Sequence, residues 1–87
     1  RARREGLLSS LASRVTRQEA TNDGYIFTFQ ASSETLRSIT EMIDAERQCC
    51  RWLRFTVIVE PDAGPITLRL NGPAGAREFL SALFESA

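Results

Sequence analysis

The sequence contains no histidine and no lysine, and its only two cysteines, Cys49 and Cys50, are adjacent. Without histidine the chain has no Ser-His or Cys-His catalytic pair, no near-neutral proton shuttle and none of the commonest metal ligand. Without lysine there is no Schiff-base or amine general-base chemistry, and all eleven cationic side chains are arginines, suited to bidentate contacts. Neighbouring Cα atoms lie about 3.8 Å apart, closer than an ordinary disulfide prefers, so the cysteines do not read as a secreted-type staple. Reduced thiols in the cytoplasm are the expectation. No stretch approaches the roughly 18 consecutive apolar residues of a membrane span, and Arg1 to Ser10 lacks the apolar run of a signal peptide, so no membrane association is expected.

Charge of one sign is also lacking. Eleven arginines balance eleven acidic residues, which leaves no basic field to draw the protein onto nucleic acid or anionic lipid. With 43% hydrophobic and 25% charged residues in 87, the composition is that of one small folded domain spanning 1–87, with residues 1–5 frayed. A core this size leaves partner surface useful for stability.

Leu7, Leu8 and Leu11 suit one face of a short N-terminal helix, with Val15 a turn further on. A polar edge strand over Ser13 to Thr21 then runs into Asn22-Asp23-Gly24, a tight-turn signal because Asn and Gly tolerate positive φ. The return strand, Tyr25 to Gln30, sends Tyr25, Phe27 and Phe29 to one face. Ser32 or Ser33 caps a helix running to about Cys50, with Glu34 in its first turn. A second hairpin follows, Phe55 to Val59 and Ile66 to Leu70 around Pro61-Asp62-Ala63-Gly64-Pro65. Pro73 lies near the start of a last helix whose apolar stripe is Ala76, Phe79, Leu80 and Leu83.

The order β-β-α-β-β-α predicts an α+β fold: a four-stranded, mainly antiparallel sheet with both helices on one face, similar to a circularly permuted ferredoxin-like sandwich. Phe27, Phe55, Val57, Leu68, Phe79 and Leu83 are the expected core. The second sheet face carries Ile26 and Ile58 among polar groups, which points to a homo-oligomer, a dimer in the simplest case.

One constellation carries chemistry. At about 100° per residue, the first long helix gathers Leu36, Ile39, Met42, Ile43, Cys49, Cys50 and Leu53 into one stripe, with Glu46 near its centre. Residues three and four apart meet on a helix, so Glu46 approaches both cysteines. Two soft thiols beside a carboxylate make a metal site for a thiophilic ion or metalloid such as Cu(I), Hg(II), Zn(II) or As(III). A structural reading stands beside it: Glu46 pairs with Arg54 or Arg69, and the cysteines pack as small hydrophobes in a non-catalytic interaction module. An enzyme using Cys and Glu ranks third. Consecutive helical residues point about 100° apart, so both thiols grip one ion only where the helix ends. Gly72-Pro73-Ala74-Gly75 has neither the glycine fingerprint nor the lysine of a phosphate loop and reads as a strand-to-helix turn.

Glu46-Arg47-Gln48-Cys49-Cys50, Gly64-Pro65-Ile66-Thr67-Leu68-Arg69-Leu70 and Gly72-Pro73-Ala74-Gly75-Ala76-Arg77-Glu78-Phe79-Leu80 together resemble a family of short, uncharacterised bacterial proteins. These share an E-R-x-C-C segment, a G-P-x-x-L-R-L strand and a G-P-x-G-x-x-E-F-L helix start. The resemblance covers about residues 24 to 84 and implies one domain in which Glu46, Cys49 and Cys50 matter. Arg51 stands where family members often have proline, so the helix end differs here.

Overall fold

The structure, a computed structural model, describes residues 11–85, with side chains over 11–82. The expected N-terminal helix falls mainly outside these residues; its Leu11 lies inside them and is 1% exposed. Strands β1 (Val15–Thr21) and β2 (Gly24–Phe29) precede helix α1 (Ser33–Cys49), and β3 (Arg54–Val59) and β4 (Ile66–Asn71) precede helix α2 (Ala76–Glu85). The sheet order is β1-β2-β4-β3 and every neighbouring pair is antiparallel. The fold is therefore α+β, and the α1 connection steps over β4 before the chain re-enters the sheet.

Strand alternation sorts the sheet into two faces. Register sets three apolar rows on the covered face: Tyr25-Leu70-Phe55, Phe27-Leu68-Val57 and Phe29-Ile66-Val59. Tyr25 and Phe27 stack at 5.7 Å. Ile39 and Met42 of α1 and Leu80 of α2 join Phe27, Phe29, Ile66, Leu68, Leu70 and Leu11 in one core. The opposite face shows the rows Ile26-Arg69-Thr56 and Thr28-Thr67-Ile58.

Ser32 caps α1, its Oγ accepting from the Thr35 N–H at 3.1 Å, as its residue type predicts. Arg14 ties this end to β1: it donates to Thr35 Oγ1 at 3.2 Å and pairs with Glu34 at 3.2 Å. Thr35 is thereby buried although polar.

Three local expectations are corrected. Phe55 and Val57 pack against the core while only half-buried, because β3 is an edge strand. Phe79 is 38% exposed, since the buried line of α2 runs through Ala76 and Leu80. Its ring instead meets Trp52 edge-on at 5.3 Å. Leu83 lies outside the described side chains. Finally, α2 begins at Ala76, not at Pro73: the Pro73 carbonyl accepts the Ala76 N–H, and Gly75, at φ 93°, accepts that of Phe79.

Candidate functional site

Ile39, Met42 and Glu46 share the buried stripe of α1, and all three are at most 2% exposed. A carboxylate thus sits where periodicity alone would put another leucine. Burying such a group costs free energy unless polar partners meet it. One partner is Cys50, whose Sγ lies 3.7 Å from Glu46 Oε1, within hydrogen-bond range for a thiol.

The backbone explains how Cys50 reaches that position. Helix α1 ends at Cys49, and Cys50 is its C-cap at φ −116° and ψ 75°, outside the helical region. Its N–H still donates to the Glu46 carbonyl at 2.6 Å, so the thiol stays stacked over the Glu46 side chain one turn below. The Cys50 carbonyl then accepts the Leu53 N–H at 3.1 Å, closing the turn that carries the chain into β3. Cys50 is 3% exposed and belongs to the core.

Cys49 does not join them on the buried side. It is exposed, because it lies about 80° from Ile39 around the helix, at the margin of the stripe and in the last turn. The expected trio is therefore a buried pair, Glu46 and Cys50, with a second thiol one residue away at the surface. Among the described residues no group of three or more Cys, Asp or Glu side chains is gathered to hold a metal ion in this arrangement.

The arginines proposed to balance Glu46 stand elsewhere. Arg54 and Arg69 are exposed and alternate onto the uncovered face of the sheet, across from α1, where Arg69 faces Asp23 at 4.0 Å. Arg47, one residue beyond Glu46, pairs at 3.0 Å with Asp44 on the outer side of the helix. Trp52, two residues past Cys50 in the chain, is 43% exposed and meets the Phe79 ring edge-on. A Cβ on Gly72 would come within 3.0 Å of the Trp52 ring, so the indole lies against the start of the strand-to-helix turn. The contacts of Trp52 with Gly72 and Phe79 could not be read from local pattern, because those partners are more than nineteen positions away.

No helix among the described residues is long and apolar enough to cross a membrane. No protein-family model, curated protein or solved structure matches the chain.

Proposed function

We propose that the end of α1 is a binding site for a soft, thiophilic ion or metalloid, with Cys50 and Cys49 as ligands and Glu46 as the acceptor of the thiol proton. The observation that carries this reading is the buried carboxylate 3.7 Å from the Cys50 sulfur. A thiol must lose its proton to ligate, and a carboxylate held against it receives that proton without exposure to water. Cys50 is the C-cap of α1, the position at which the 100° spacing of consecutive helical side chains can relax. A turn of the exposed Cys49 side chain toward its neighbour then completes a vicinal dithiol. The E-R-x-C-C resemblance singles out the same three residues. The strand order β1-β2-β4-β3 supports reading the scaffold as a permuted ferredoxin-like sandwich, with the site at one end of its first helix.

Arsenite is the most selective probe, since tight capture requires two thiols, and Trp52 supplies a fluorescence readout two residues from Cys50. Saturable binding is expected. Glu46→Gln should weaken arsenite and Zn(II) binding at least about tenfold, roughly 1.4 kcal/mol, with the fold retained by circular dichroism. Cys49→Ser should abolish tight arsenite capture while leaving stability within about 0.5 kcal/mol, because its side chain is at the surface. If Glu46→Gln lowers stability and leaves thiol alkylation rates and ion uptake unchanged, Glu46 and Cys50 are a structural pair and the reading fails.

A further inference from the structure

The sheet has two edges, and they differ. Strand β1 is polar from Thr16 to Glu19, all four of these and Ala20 being exposed, and a register shift between Val15 and Arg17 interrupts its pairing. Charges and bulges of this kind prevent an edge from templating another strand. Strand β3 has no bulge, and its only charge is Arg54 at its first residue. It pairs regularly with β4 from Arg54 to Val59, its middle reads Phe55-Thr56-Val57-Ile58-Val59, and Ile58 and Val59 are 47% and 58% exposed. An antiparallel strand turns alternate N–H and C=O groups away from its neighbour, so β3 also presents backbone hydrogen-bonding groups that β4 does not use.

Charge decides the occupant. Arg54 opens this segment and Glu60 follows its last residue; both are exposed, and neither has an ion-pair partner among the described residues. A second copy of β3 laid antiparallel about a two-fold axis at Val57 places Val57 opposite Val57, Phe55 opposite Val59, Thr56 opposite Ile58 and Arg54 opposite Glu60. Directly opposed residues share a face, so this register keeps Phe55, Val57 and Val59 on the core side of both copies. The symmetry forms the Arg54-Glu60 pair twice, as an isologous contact requires. Shifting the register by two residues in either direction loses both pairs.

We propose that the protein forms a homodimer by antiparallel pairing of β3 with the β3 of a second copy, joining two four-stranded sheets into one of eight strands, with Arg54 and Glu60 setting the register. The inference does not depend on the thiol site, and its test leaves Glu46, Cys49 and Cys50 untouched.

Sedimentation equilibrium of four proteins tests it: native, Arg54→Glu, Glu60→Arg and the double reversal. The native chain should dimerise in the micromolar range. Each single reversal faces like charges across the axis twice and should raise the dimer Kd at least about tenfold, while the double reversal should return it to within about threefold. An equimolar mixture of the two single variants should form a heterodimer, because every opposed pair is then again of unlike charge. Circular dichroism should show all four folded, since both side chains are at the surface. A native chain that stays monomeric at high micromolar concentration overturns the proposal. So does a dimer indifferent to the single reversals, or one broken instead by Ile26→Arg on the uncovered sheet face.

Discussion

The two hairpins of this protein solve the same problem with opposite turn chemistry. In the first, Thr21 pairs with Gly24 and the chain reverses through Asn22 and Asp23, neither of which has positive φ. Gly24 has no positive φ either. Its missing side chain serves proximity: a Cβ there would fall 1.8 Å from the Leu70 carbonyl oxygen of β4. In the second hairpin, Gly64 again has ordinary φ, and the left-handed positions fall on Asp62 and Ala63, both at φ 58°. The Gly64 N–H closes that turn on the Pro61 carbonyl at 3.1 Å, with both central residues at positive φ as in the mirror-image turn types. Glycine thus marks where another chain segment comes close, and the conformational demand is met by residues less suited to it.

Asp23 ties the first turn to the sheet. Its carboxylate accepts from Thr21 Oγ1 at 3.2 Å and Asn71 Nδ2 at 3.4 Å, and its carbonyl accepts the Gly72 N–H at 3.0 Å. The second turn has no comparable set of contacts to β2 or β1 among the described residues, in keeping with its place beside the open edge.

The largest expected effect breaks the equivalence of the two halves at the core. Phe27 and Phe55 occupy neighbouring rows, but Phe27 is 2% exposed on an inner strand and Phe55 is half-buried on an edge. Phe27→Ala should cost about 3 to 5 kcal/mol in urea denaturation and Phe55→Ala about half as much. That ratio holds below the dimer Kd; where the dimer forms and covers β3, the loss at Phe55 should rise toward that at Phe27, and equal losses in the monomer would mean that β3 is covered within one chain.

Gly24→Ala comes next. A methyl group driven against the Leu70 carbonyl must push β2 from β4, and a loss of about 3 kcal/mol or more is expected. A change below about 1 kcal/mol would show that the strands separate easily there. The smallest effect has the opposite sign. Ala63→Gly relieves an L-residue held in the left-handed region, worth about 1 to 2 kcal/mol, and adds back part of that as unfolded-chain entropy. A net gain of about 0.5 to 1 kcal/mol in denaturation midpoint analysis should follow, whereas a loss would place the strain elsewhere in the loop.

Much of the architecture was legible because it depends on short-range pattern. Alternation in Tyr25-Phe27-Phe29 and Ile66-Leu68-Leu70 named both strands and their covered face, and Ser32 announced the start of α1. The candidate site was half legible. Periodicity put Glu46 on the apolar stripe and Cys50 a turn above it, yet grouped Cys49 with them, because an ideal helix places it only at the stripe's margin and nothing local says what covers that margin.

By itself, then, the sequence determined the order and type of the elements from β1 to α2, the balance of charge, the absence of histidine and lysine chemistry, and the presence of one carboxylate on a buried helix face. Each follows from composition or from side-chain spacing within one element. Only the tertiary structure decided that Phe79 leaves the core for Trp52, that Gly24 is required by the Leu70 carbonyl, that Cys50 turns inward and Cys49 outward, and that β3 is an edge strand of the sheet among the described residues. These depend on which segments meet across the fold, and burial is a property of that meeting, which no single element specifies.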